Sequence, residues 1–210
     1  MKRRRNRRGP AKIAAPLIAQ SAPQLPGAAD PSRITGGTYA TDPSHTLIMF
    51  DVVHFGFSDY FGIFGDATGT LVLDPKKPAS AKVDITIPVS KVTTASAGLT
   101  NHLLRAGKDG KKADFFGPAP ADAHFVSTKV EVKGMTARIS GNLTLNGITA
   151  PVVLNASFKA AGTNPYNKKE TIGFAATATI KRSAFGLTMG IPMVADDVAL
   201  KIAVPFEKQS

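Results

Sequence analysis

The sequence predicts an all-β fold of about eight antiparallel strands with one short helix. Three observations lead there. Apolar residues alternate with polar ones at period two through much of the chain, turn signals recur between the runs, and only one stretch carries helical periodicity. The 210 residues are one domain's worth of length, and 43% hydrophobic with 20% charged residues is ordinary globular usage. Gly (19) and Pro (15) are plentiful, as short strands joined by tight turns require.

In chain order the first β-rich run is residues 46–55, followed by 70–74, which ends on the turn pair Asp74-Pro75. Residues 83–89 alternate strictly, with Val83, Ile85, Ile87 and Val89 on one face. Residues 95–106 form the helical candidate, since Leu99, His102, Leu103 and Ala106 share one side. Asp109-Gly110 and the lysines around it then predict an exposed loop. Further strands are expected over 125–133, 136–145, 150–159 and 171–181. Asn146-Gly147 is a hairpin turn, because a type I′ turn needs positive φ at both central positions. The last strand places Val198, Leu200, Ile202, Val204 and Phe206 on one face. Eight such strands can close a barrel or stack as a sandwich. In a closed barrel Pro88 marks a bulge or bend, since proline cannot donate to a ladder.

Charge divides the chain. The formal net charge is +11, but Lys2, Arg3, Arg4, Arg5, Arg7, Arg8 and Lys12 crowd the amino terminus. From Tyr39 onward 18 Lys and Arg stand against 14 Asp and Glu. Residues 1–38 combine that basic stretch, the apolar segment 13–19 and a Pro/Ala/Gly-rich linker, the order of a secretory signal. Cleavage is expected after Ser21 or after Ala29, and export places the protein in the periplasm or outside the cell. The alternative is a basic arm on a nucleic-acid- or anion-binding barrel. No apolar run is long enough for a membrane-spanning helix. The absence of cysteine excludes disulfides, thiol nucleophiles and thiolate metal sites.

Phe50, Phe55, Phe57, Phe61 and Phe64 fall within fifteen residues, and Phe115, Phe116 and Phe125 form a second group. They either pack a core or line the interior of a barrel, which at eight strands is just wide enough for a small ligand. The four histidines (His45, His54, His102, His124) show no metal-ligand spacing; His45, after Asp42 and Pro43, is expected to hydrogen-bond within a turn. There is no nucleophile elbow, phosphate loop or dinucleotide fingerprint, so no enzyme, cofactor or metal is expected.

The motifs in order resemble a known family. They are Tyr39, Asp42-Pro43, His45-Thr46; Val53-His54-Phe55-Gly56-Phe57-Ser58; Asp74-Pro75; Val83 to Val89; His102-Leu103; Ala113-Asp114-Phe115-Phe116; Gly141 to Pro151; and Arg182-Ser183-Ala184-Phe185-Gly186-Leu187. Over residues 39–207 the chain is similar to the YceI-like family of polyisoprenoid-binding, lipocalin-like bacterial proteins. The resemblance implies a lipocalin-like antiparallel β-barrel holding a polyisoprenoid or fatty-acid-like molecule, in a non-enzymatic periplasmic or secreted protein. Some members are dimeric, which makes a homodimer an option here.

The expected function is binding, transport or sequestration of a long hydrophobic ligand, with no nucleic-acid partner. A ligand-free structural or stress-response protein is the remaining alternative. The expected ligand wall is Phe55, Phe57, Phe61 and Phe64, with His54 offering a polar group. Leu103, Phe115 and Phe116 are expected to close one end, and Phe174, Ile180, Phe185 and Leu187 to supply the far wall. Val53, Gly62, Ile63 and Ala184 stand where the family pattern carries charged residues, and residues 107–112 read as an insertion.

Overall fold

The computed structural model describes residues 24–210. The basic and apolar part of the expected export signal, with the Ser21 cleavage point, lies outside the described residues.

The described residues form eleven strands, yet the barrel has eight staves because three staves are bent in the middle. β1 (Gly37–Thr41) and β2 (Leu47–His54) form one bent stave, β3 (Ser58–Phe64) and β4 (Thr68–Leu73) a second, and β5 (Lys82–Ile87) and β6 (Thr93–Thr94) a third. β7 (Ala123–Lys133), β8 (Thr136–Leu145), β9 (Ile148–Thr163), β10 (Glu170–Lys181) and β11 (Val194–Lys208) complete the ring. All pairings are antiparallel, and β11 closes the barrel on both β1 (Tyr39 opposite Lys208) and β2 (Leu47 opposite Ala203). Among the described residues the one α-helix is α1 (Ala97–Leu104), preceded by Ser96, whose hydroxyl caps the Leu99 N–H.

The three bends lie side by side. In the first, Asp42 accepts from Ser44 N and pairs with His45 Nδ1 at 2.6 Å, the turn bond expected from the sequence. Thr41 Oγ1 donates to the Ala67 carbonyl in the second bend, and Lys91 in the third reaches Asp66 at 3.5 Å. Pro88 opens the third bend, as a proline in a closed barrel must. The Asn146-Gly147 turn has φ of 53° and 76°, the type I′ geometry that its residues dictate.

Inward side chains follow the period of two: Val83, Ile85 and Ile87 on β5, and Leu200, Ile202, Val204 and Phe206 on β11. On β7 a bulge between Ser127 and Lys129 shifts the inward set from Phe125 to Val130 and Val132.

The structure departs from the sequence reading in three places. The last strand begins at Val194, ahead of the Val198–Phe206 alternation, and Asp196 and Asp197 lie at an irregularity within it. Asp196 accepts from Ser183 N and Oγ at 2.8 and 2.7 Å, which fixes the preceding loop. Residues 58–64 are a full strand, lying between the expected runs 46–55 and 70–74 and included in neither. Residues 24–36 are not a free linker. They run as a strap over one end of the barrel, where Ala28 and Ala161 exchange both backbone hydrogen bonds (3.1 and 2.9 Å). Gly162 permits this approach, because a Cβ there would meet the Pro26 carbonyl oxygen at 2.1 Å.

Candidate functional site

The barrel interior has two halves of different character. At the end carrying α1, Val89, Phe125, Leu143, Val152 and Phe185 pack into a solid cluster, joined by Phe64, Phe116 and Ile180. At the other end the strands enclose a cavity of about 320 Å³, at the lower limit of the range for small-molecule sites. Its walls come from every strand of the ring except β1, β3 and β6, and from the strap through Pro31 and Ile34. Phe158, Phe174 and Phe206 form an edge-to-face row along one wall, with centroids 5.8 and 6.2 Å apart.

The lining is almost wholly hydrocarbon. Only Thr46 and Thr136 carry polar side chains, and both hydroxyls already donate to backbone carbonyls, of Asp42 (2.7 Å) and Lys133 (2.8 Å). Among the described residues no charged side chain lines the space. The cavity can therefore take apolar matter and has no hydrogen-bond donor to offer a buried headgroup.

The cavity opens between the strap, the β4–β5 connection (Pro75, Pro78, Ala81) and the β7–β8 tip (Gly134, Met135). The strap is tied down by Glu170 at the start of β10. Its carboxylate accepts from Thr35 N (3.0 Å), from Thr35 Oγ1 and from the buried Tyr39 Oη (2.7 Å). Burial alone would push the Glu170 carboxyl up, but the Thr35 and Tyr39 hydrogen bonds and the nearby Lys208 charge hold it below its ordinary value. Burial, then the hydrogen bond to Glu170 and its charge, push the Tyr39 hydroxyl up to about 12.

Arg182 holds the opposite end. Only 6% exposed, it donates to the carbonyls of Leu187, Met189, Val194 and Ala195, each at 2.8 Å. Burial lowers its pKa, and the neighbouring Asp196 charge acts in the opposite direction.

Of the twelve ligand residues expected from the sequence, the structure places Phe174 in the cavity wall. Phe64, Phe116, Ile180 and Phe185 meet in the solid cluster, and Leu187 is buried in the loop that Arg182 holds. Leu103 and Phe115 join Phe116 over the gap between β6 and β7: Phe116 N donates to the Leu103 carbonyl (3.0 Å), and Phe115 stacks edge-on to His102. His102 and Arg105 both pair with Asp114, at 3.0 and 2.9 Å, which ties α1 to this segment. Those residues close an end of the barrel, but not the end with the cavity.

Phe55 and Phe57 sit in the β2–β3 turn at 49% and 91% exposure, with His54 exposed beside them. Phe61 is 51% exposed. It lies three residues from Phe64, so the two cannot share a face of one strand. Ile48, Leu154, Phe158, Ile202, Val204 and Phe206 also line the cavity, outside the set expected from the sequence. Their signal was present as alternation, outweighed by the density of phenylalanine elsewhere.

Comparison with known proteins decides the family: residues 39–206 match the family described as the YceI-like domain. The chain belongs to the YceI-like family. A UPF0312 protein of Pectobacterium atrosepticum is 37% identical over 166 residues, 79% of this chain and 82% of that protein. Burkholderia cenocepacia BcnA has the same fold, with a TM-score of 0.64 at 24% identity over 79% of this chain and 98% of that one. A polyisoprenoid-binding domain from Saccharophagus degradans superposes with a TM-score of 0.52 at 14% identity, covering 81% of this chain and 98% of that domain. The expected lipocalin-like β-barrel is thus the YceI-like barrel. The matched residues begin at Tyr39, and the strap precedes them.

Proposed function

We propose that this YceI-like protein binds, transports or sequesters a long hydrophobic ligand, a polyisoprenoid or a fatty-acid-like lipid, in the cavity at the strap end. One observation carries the reading: the cavity is hydrocarbon on all sides, with its two hydroxyls already committed. Apolar chain transferred from water gains about 0.8 kcal/mol per methylene. Ten methylenes supply roughly 8 kcal/mol before the cost of association, enough for useful affinity in a preformed barrel. The headgroup stays at the opening, because the interior cannot satisfy it. The polyisoprenoid-binding domain of Saccharophagus degradans, as a fold relative, is consistent with such cargo. The protein acts by binding and not by catalysis. Among the described residues no three potential metal-ligating side chains cluster.

Export to the periplasm or beyond is part of the proposal, supported by the basic, apolar and small-residue order of residues 1–38. Cleavage after Ser21 fits the barrel better than cleavage after Ala29, which would remove the Ala28 bridge to Ala161. Intact mass of the secreted protein checks this, and a mature chain starting at residue 30 would refute it. The binding reading is tested by organic extraction of the purified protein with mass spectrometry, alongside uptake of a fluorescent fatty acid. A protein that yields no lipid and takes up no probe would end it.

A further inference from the structure

The charges of the barrel are sorted along its axis. At the cavity end, residues 24–38, 73–83, 127–140, 157–170 and 206–210 carry eleven Lys and Arg against five Asp and Glu. At the α1 end, residues 54–60, 96–122 and 181–197 carry six of each sign. The excess at the cavity end is not neutralised locally. Lys76, Lys77, Lys82, Lys133 and Lys159 have no carboxylate within ion-pair distance among the described residues. Each is adjacent in sequence to a residue of the cavity wall or opening, or one position removed: Pro75 and Pro78, Ala81 and Val83, Gly134, and Phe158.

The same end also projects apolar side chains. Tyr166 in the β9–β10 turn is 94% exposed, and Leu25 at the head of the strap is 83% exposed. Val132 and Met135 stand half-exposed at the β7–β8 tip beside Lys133. Lysines interspersed with the exposed Tyr166 and Leu25 and the half-exposed Val132 and Met135 suit an interface of anionic headgroups over acyl chains. The exposed phenylalanines at the opposite end lack that excess of positive charge.

We infer that the cavity end of the barrel is a docking face for an anionic lipid bilayer, presenting the opening of the cavity to the membrane. The docking stands on charge and exposure alone. Its use in loading or releasing a ligand rests on the function proposed above, and uptake of a soluble probe without vesicles tests that function separately.

The test uses the full chain with mixed phosphatidylglycerol–phosphatidylcholine vesicles and with pure phosphatidylcholine vesicles. Because residues 2–12 are basic and attract anionic lipid by themselves, the comparison is between two charge reversals of equal size. A lysine near an anionic surface contributes about 1 kcal/mol, roughly fivefold, so Lys76→Glu with Lys77→Glu should lower partitioning by roughly 25-fold or more. Lys108→Glu with Lys111→Glu, at the α1 end, should leave it nearly unchanged.

The chain has no cysteine, so a single introduced one reports orientation. An environment-sensitive dye on Tyr166→Cys should shift to the blue on anionic vesicles, and the same dye on Phe57→Cys should not. Equal effects of the two reversals, a shift at position 57 in place of 166, or equal binding to neutral vesicles would overturn the inference. So would a response of the position-166 dye to a single-stranded oligonucleotide but not to vesicles, which would make the face a nucleic-acid surface.

Discussion

The buried Tyr39 hydroxyl donates to Glu170 at 2.7 Å, and the same carboxylate accepts the Thr35 N–H at 3.0 Å. One side chain at the start of β10 thus joins the first stave of the barrel to the strap that roofs its cavity. A carboxylate drawn partly out of water must have its oxygens satisfied, and the strap and Tyr39 supply the hydrogen bonds while Lys208 stands 4.0 Å away.

Glu170→Gln should weaken this anchorage. Hydrogen bonds to a charged acceptor contribute about 1.5–3 kcal/mol, and in a chain of this size that lowers the melting temperature by roughly 3–10 °C. Hydrogen exchange at Ala28 and Ala161 should rise in the variant, and unchanged protection there would separate Glu170 from the strap.

The pH dependence follows from the directions of the shifts. Glu170 has a folded pKa below its ordinary 4.5, so its contribution is present above 4.5 and is lost as pH falls through the folded value. Tyr39 is raised from 10 to about 12, so its contribution is complete below 10 and is lost as pH rises toward 12. Thermal unfolding followed from acid to alkaline pH should show both flanks, and Glu170→Gln should flatten the acid one.

Ala176 on β10 faces the cavity beside Phe174. Ala176→Phe places a phenyl group in a space of about 320 Å³, which should cut uptake of a fluorescent fatty acid by roughly tenfold or more, about 1.4 kcal/mol. The barrel should remain folded, since the ring enters empty space. Phe116→Ala should do the reverse. Phe116 packs in the solid cluster 6.0 Å from Phe64, so its loss costs about 3–5 kcal/mol of stability with little change in affinity for the probe. Titration and melting of the two variants side by side would expose an exchange of roles.

Arg182→Met should be among the most damaging substitutions, because four carbonyls lose their donor together. A loss of about 3 kcal/mol or more is expected, read by denaturant unfolding. Tyr60→Phe is the opposite case. Its hydroxyl is buried with no partner among the described residues, so removal should be neutral or stabilising by up to about 1 kcal/mol.

Much of the barrel was legible as local pattern. The alternations at Val83–Ile87 and Val198–Phe206, the Asn146-Gly147 turn and the Pro88 bend are short-range consequences of side-chain period and backbone freedom. The order of motifs from Tyr39 to Leu187 carried the family. Which side chains meet the cavity was not local. Phe61 and Phe64 look alike in sequence, and strand phase sends one to solvent and the other to the core. Phe55 and Phe57 fall in a turn. The bulge at Ser127 resets the inward set of β7, and the strap reaches the cavity wall only because Gly162, more than a hundred residues away, leaves room for it. The sequence by itself determined most of the strands, the turns between them and the family. Tertiary structure decided where the interior is hollow and which end is basic, because both depend on side chains that only closure of the ring brings together.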